Sequence, residues 1–424
     1  MKEEFLHYIW KYRLFTTEYL YFNNQKIEVL EIGEHNQSSG PDFFNSKIKI
    51  GETIWVGNVE IHVKASDWHR HGHQKDPAYE NVILHMVFEN DKQIFRSNGE
   101  EIPSGRITFN PEILARYKEL IRLEENKECF SYFAKMEKVI YYDWLEKLEF
   151  MRLERKMQIV TEILKRNHYH WDAALYEMLA MAVGMKLNAV PFRLLTQAVP
   201  LEFTLKKRNK IISLLAAFYG KAGFLENENS FLKYNILTKE YTALKHLLPK
   251  TYLNHQSWKK MRARPTGFPE IRIAQFINLV INIFPFFEKL KACENVNNLR
   301  EIIVLGIKNN FNEISELLGN DKILKSNPGK KTIDSIIINS IVPFLFYYGK
   351  FTNKEAVKQN SIKILEDLPA ENNEIIKKWN KFGIVAENAF DSQALIELKT
   401  QFCHKQRCME CMIGHQILSI EENK

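Results

Sequence analysis

The pattern of apolar and polar positions changes character once along the chain, near residue 110. Ahead of that point, Glu3 to Phe15 carries Phe5, Ile9 and Leu14 with Trp10 at helical spacing, which predicts a first helix. Short β-rich runs then alternate with turn signals. They are Leu20–Phe22 before Asn23-Asn24, Lys26–Gly33, Phe43–Ile50 before Gly51-Glu52, and Thr53–Ala65. Asn81–Glu89 is a further strong strand, followed by Gln93–Phe95, the turn Ser97-Asn98-Gly99 and a last run to Phe109. These elements predict a helix followed by a curved, largely hairpin-connected sheet.

From Pro111, which suits the first position of a helix capped by Asn110, the apolar period becomes about 3.6 residues. Periodic stretches include Tyr142–Arg166, Trp171–Lys186, Leu205–Phe218, Ile271–Phe284, Leu299–Asn309, Ile333–Tyr347, Asn353–Leu368 and Ser392–Phe402. The expected fold class is therefore α+β. A helix plus mixed β-sheet domain over 1–110 precedes a large all-α region over 111–424.

Composition narrows the class without naming it. At 424 residues, with 45% hydrophobic and 26% charged side chains, the chain is neither a disordered tail, a collagen-like fibre nor a disulfide-rich scaffold. Its net charge of +7 is compatible with a polyanionic partner. Five cysteines, three of them crowded into Cys403, Cys408 and Cys411, point to a reducing compartment where thiols bind metal. Ile336–Tyr348 and Ile273–Phe287 are interrupted by Asn and Pro and read as too short to span a bilayer. The expectation is a cytoplasmic protein with no membrane partner. No Gly-rich phosphate loop, Gly-x-Ser-x-Gly elbow or dinucleotide fingerprint occurs, which disfavours an ATPase, a serine hydrolase and a dinucleotide oxidoreductase.

Candidate chemistry concentrates in the strands. Seven of the thirteen His precede residue 86, and His62, His69, His71, His73 and His85 fall close together. Strand alternation puts Glu60, His62 and Lys64 on one face and Val59, Ile61 and Val63 on the other. Asp42, behind the Gly40-Pro41 breaker, opens the neighbouring run and can converge with Glu60. Two carboxylates suit Mg²⁺ or Mn²⁺, and such a cluster suits metal-assisted phosphodiester hydrolysis. The alternative is the polar, solvated face of an antiparallel sheet. His69, His71 and His73 read either as a loop over the site, where Arg70 meets phosphate, or as ligands of a transition metal. His85 reads as a structural histidine.

The order helix, strand, Pro41-Asp42 strand, then Glu60 and Lys64 on the next strand resembles the PD-(D/E)XK nuclease superfamily. The resemblance implies a restriction-endonuclease-like fold over about ninety residues. It implies Mg or Mn held by Asp42 and Glu60, with Lys64 assisting the nucleophile. Here His62 stands where that pattern has an acid and would be a supporting ligand or base. The segment 65–79 is turn-rich where a full helix is usual. The whole chain also resembles an uncharacterised bacterial domain-of-unknown-function family, through GPDF, GNVEIHVKASDWHRHGH, DPAYENVILH, RPTGFPEIRIAQ and the late Cys cluster.

Cys403, Cys408 and Cys411 lack one ligand for a tetrahedral zinc or a four-iron cluster. Cys129 is the natural fourth, with His415 or His404 as alternates; buried thiols without metal are the competing reading. One early and three late cysteines resemble the clasp of certain iron–sulfur exonucleases. Arg262, Arg264 and Arg272 bracket a Pro-rich turn and are candidates for phosphate contact, the alternative being interhelical packing. Met151–Lys165, with Arg152, Arg155 and Lys156, reads as a solvated helix face. The expected function is a divalent-metal-dependent nuclease, or else a catalytically silent scaffold that binds nucleic acid or a partner.

Overall fold

The computed structural model describes residues 1–16, 21–36, 39–122, 127–226, 234–260, 267–293, 295–308, 314, 318 and 328–419. The chain divides into two compact units, Met1–Met136 with Lys399–Lys424, and Glu137–Leu398. The boundary expected at residue 110 thus moves to Met136, and the last segment, expected in the helical domain, belongs with the first unit. The helix Pro111–Arg122 buries Ile113, Tyr117 and Leu120 in the same core as the strands, which carries the unit past the last strand.

The first unit opens with α1 (Glu3–Lys11), whose apolar face buries Phe5, Leu6, Ile9 and Trp10. The strands are β1 (Phe15–Thr16), β2 (Tyr21–Phe22), β3 (Gln25–Glu31), β4 (Glu34–His35), β5 (Phe43–Ile50), β6 (Thr53–Lys64), β7 (Val82–Glu89), β8 (Ser104–Arg106) and β9 (Thr108–Phe109). The main sheet runs β2-β3-β5-β6-β7-β8, with β4 on β5, and β1 pairs separately with β9. As expected, β3, β5 and β6 are antiparallel neighbours. The hairpin expectation fails beyond β6, because β7 lies parallel to β6 and β8 parallel to β7. A parallel neighbour requires a long crossover, here 65–81 with α2 (Asp67–Arg70) and two 3₁₀ turns. Parallel strands are covered on both faces; accordingly Val82 to Val87 are all buried, and Val59 to His62 are buried on both faces of β6. The run Gln93–Phe95 forms only an isolated bridge, Phe95 to Glu101.

The second unit is helical. It begins with the long helix Lys138–Arg166 and continues with Trp171–Ala198, which kinks where Met185 takes φ 54°. The helix face expected to be solvated is in fact partly interior. Arg152 is buried and donates to Glu149 Oε1 at 2.7 Å and to the Ile338 carbonyl at 3.2 Å. Burial first, then the nearby Arg152 and Arg155, pushes the Lys156 amine down to about 8. Arg155, half-buried, pairs with the buried Glu397 at 3.0 Å, while Lys165 is exposed as the sequence reading expects. The apolar stretch Ile336–Tyr348 lies in a continuous helical run, Lys330–Phe351, of 22 residues. By length and composition alone this run and Trp171–Ala198 are long and apolar enough to cross a membrane, whereas the sequence pattern marks only the shorter stretch Ile336–Tyr348. Most of Lys330–Phe351 is packed inside its own unit, which accounts for its apolar character.

Candidate metal centre

Gly40 takes φ +101°, a left-handed conformation that costs glycine little, and Pro41 follows. The chain is thereby delivered to the head of β5 with Asp42 beside β6. The two strands clasp each other reciprocally: Asp42 Oδ2 accepts the Ile61 N–H at 2.8 Å, and the Asp42 N–H donates to Glu60 Oε2 at 3.1 Å. From α1, His7 brings Nε2 to 3.2 Å from Asp42 Oδ2. The convergence of Asp42 and Glu60 therefore comes from strand register, since Phe43 pairs with Val59.

The other oxygen of Glu60 faces imidazoles. Oε1 lies 3.4 Å from His62 Nε2 and 3.2 Å from His73 Nε2. His62 Nε2 is 3.1 Å from His71 Nδ1, and His62, His71 and His73 offer three ligand atoms all within 4.8 Å of one another. Behind them, His62 Nδ1 and His85 Nε2 share a hydrogen bond of 2.8 Å. That bond orients the His62 ring and leaves Nε2 directed at the cluster, the arrangement by which an outer partner fixes a metal-ligating histidine. Tyr79 stacks on His73 with centroids 3.8 Å apart, and the Trp68 ring meets both His73 and His85.

The electrostatics of the cluster are set by burial and by the neighbouring Asp42. Burial first, and then the charge of Asp42, pushes the Glu60 carboxyl up to about 9, against the opposing Asp42 N–H bond. Burial, then the neighbouring His85, pushes His62 down to about 2, and burial likewise holds His85 near 3 and His73 below the ordinary imidazole value. For His7 burial works against the charge, yet the hydrogen bond and charge of Asp42 win and raise it. Neutral imidazoles are competent ligands as they stand. His73 Nε2 is buried without a hydrogen bond, although Glu60 is close. A divalent cation among these atoms would satisfy both the nitrogen and the carboxylate, so the donor set fits one.

This geometry fixes the sign of a pH effect. At neutral pH Glu60 retains its proton while His62 and His73 carry none, so an entering cation displaces the proton of Glu60. Metal affinity is expected to rise about tenfold per pH unit until the pH approaches the Glu60 value. Calorimetry in buffers of different ionisation enthalpy should count about one proton released. An affinity that does not change with pH would remove Glu60 from the ligand set.

Other expected site residues are placed differently. Lys64 sits at the far end of β6, half exposed, with Nζ 3.1 Å from Glu89, its register partner on β7. Its amine is therefore committed to a strand-end ion pair. Arg70 is exposed and pairs with Asp67 at 3.0 Å. Arg272 is buried; it donates to Gln275 Oε1 at 3.3 Å and faces Met185, so the expected phosphate contact gives way to interhelical packing. Arg262 and Arg264 lie outside the described residues. Cys129, Cys403, Cys408 and Cys411 all belong to the first unit.

His7, on a helix with no sequence signal for the site, adjoins Asp42; His85, read as structural, stands behind His62; and His73, read either as loop or as ligand, faces Glu60. The His-x-His spacing of His71 and His73 was the available signal; His69 stands outside their set.

Beside His7 and His35, a groove of about 750 Å³ is lined by Lys2, Lys11, Lys405 and Arg407, with Tyr8 and Tyr12, against two acids, Glu4 and Glu410. No curated protein and no solved structure matches the chain. A family match spans nearly all of it, however, over residues 3–374, and the chain belongs to that family, described as Protein of unknown function (DUF2851).

Proposed function

We propose that the first unit is a divalent-metal-dependent phosphodiesterase acting on nucleic acid. The observation that carries this reading is the buried Glu60 carboxyl, raised to about 9 and surrounded by His62 and His73. Three imidazoles beside one carboxylate favour Mn²⁺, Fe²⁺ or Zn²⁺ over Mg²⁺. When bound, such an ion polarises a phosphoryl oxygen and acidifies an attached water. Glu60, His62, His71 and His73 are its holders, and His85 keeps His62 oriented. His7, paired with Asp42 and raised in pKa, takes the proton of the attacking water. The groove lined by Lys2, Lys11, Lys405 and Arg407 receives the phosphate backbone.

The succession of α1, β5 headed by Asp42 and β6 carrying Glu60 supports kinship with the PD-(D/E)XK nucleases. In this reading the role that those enzymes give to a lysine passes from Lys64 to the imidazoles.

The test is cleavage of single- and double-stranded DNA and RNA with Mn²⁺, Zn²⁺ or Mg²⁺. Mn²⁺-dependent cleavage is expected, abolished in Asp42→Ala and Glu60→Ala. His62→Ala should cost at least as much as Lys64→Ala, and His7→Ala about 10²–10⁴-fold. Lys11→Ala should weaken binding on all sequences and lower the salt slope by about one. Cleavage surviving in the Asp42/Glu60 double variant overturns the site. Tight, salt-sensitive binding with no cleavage would replace the enzyme by the silent scaffold.

A further inference from the structure

We propose that Cys129, Cys403, Cys408 and Cys411 together hold a thiolate-ligated metal centre, zinc or an iron–sulfur cluster, that ties the end of the chain into the first unit. The inference is independent of the nuclease reading, because it concerns other residues and another class of metal.

The four cysteines come from two stretches far apart in sequence. Cys129 lies on the helix Lys127–Ala134, and the other three lie where the chain re-enters the first unit after Leu398. Cys403 ends a helical turn at Leu398–Cys403, Cys408 opens a 3₁₀ turn, and Cys411 precedes the helix Met412–Ser419. The returning segment is docked on the Cys129 helix from both sides. Tyr132 donates to Gln416 Oε1 at 3.3 Å, and Lys399 Nζ sits 5.8 Å above the Phe130 ring. Gln406 Nε2 donates to the Ile121 carbonyl at 3.1 Å and fixes the turn between Cys403 and Cys408. The Cys408–Cys411 loop folds tightly onto the last helix, where Gly414 is required because a Cβ there would collide with the Cys408 carbonyl.

The surroundings suit metal better than redox chemistry. Cys129 and Cys408 pack against the apolar core of the unit, and Cys411 is buried. Each of the other three thiols acts on Cys129 electrostatically, in keeping with the docking of the two stretches on one core. Burial raises the Cys408 thiol and pushes Cys411 up to about 12, so the pair Cys408-x-x-Cys411 is not an activated thiolate of the kind that attacks disulfides. Lys399, itself buried, acts on Cys129 and Cys403 in the opposite direction. A buried ammonium is the complement that a metal centre with four thiolates, carrying net negative charge, requires. On ligation the four S–H protons leave to solvent and four metal–sulfur bonds form. Of the two alternate ligands, His415 is turned away: its Nδ1 is 2.8 Å from the Tyr8 hydroxyl.

The experiment is metal analysis and X-ray absorption spectroscopy on the full chain purified without oxygen. It is run on the natural sequence and on a His62→Ala/His71→Ala/His73→Ala variant, which removes the other metal site. The expected result in both is sulfur-ligated metal: about one zinc per chain, or iron with acid-labile sulfide and visible absorption. The zinc and iron outcomes both support the centre and tell its two forms apart. Cys408→Ser and Cys129→Ser should each lower metal content and melting temperature. Should those variants fail to fold, the spectrum of the natural sequence still decides. Metal-free protein, metal with only nitrogen and oxygen neighbours, or undiminished metal in Cys408→Ser overturns the proposal.

Discussion

Replacing His62 with alanine should lower affinity for Mn²⁺ or Zn²⁺ at the histidine site by more than about 100-fold. Loss of an outer partner alone typically costs about 10–100-fold, and His62 is the residue on which the cluster turns. Its Nε2 faces His71 and Glu60, and its Nδ1 is held by His85. His85→Ala should accordingly fall in the range for an outer partner, about 10–100-fold, because it frees the His62 ring without removing a ligand. Lys64→Ala should leave metal affinity unchanged, since its ammonium is paired with Glu89. Competition titration against a chelator of known affinity measures all three. If His85→Ala matched His62→Ala, His85 would be a ligand in its own right. If Lys64→Ala matched either, the strand-end ion pair would not describe the protein in solution.

In the second unit, Glu149→Ala should cost about 3–5 kcal/mol of stability, enough to lower the denaturation midpoint markedly. Glu149 is fully buried, and burial, opposed by Arg152, pushes its carboxyl up to about 7. Removing it leaves the Arg152 guanidinium inside the protein with the Ile338 carbonyl as its remaining hydrogen-bond partner among the described residues. The double variant Glu149→Ala/Arg152→Met removes both charges and should recover most of the loss, because an apolar pair of similar volume avoids the desolvation of two ions. Denaturant unfolding of the single and double variants gives the coupling directly. A double variant less stable than Glu149→Ala would mean that Arg152 acts through packing and its bond to Ile338, with Glu149 secondary.

Local chemistry in the sequence accounts for much of this protein. Helical periodicity in Phe5, Ile9 and Trp10, the turn signals at Asn23-Asn24 and Gly51-Glu52, and the apolar run Val82–Val87 identify the elements, because each depends on near neighbours. Gly40-Pro41 sets Asp42 at a strand head for the same reason, and the histidine-rich stretch marks the region of the site. Partnership was decided elsewhere. Whether β7 lies parallel or antiparallel to β6 depends on how the crossover packs, and that choice buries Glu60 and His62 and folds His71 and His73 back onto them. It is burial that turns an ordinary carboxylate into one held near 9. Arg152 and Arg272 show the same limit in reverse. A charged residue at helical spacing reads as solvated until a second helix covers it, and no pattern internal to one helix records the covering. The sequence by itself determined the strands, the helices and the residue types available for metal binding. Only the tertiary structure decided which histidines meet, which cations are buried or paired and where the last segment docks, because those contacts join residues that the chain keeps far apart.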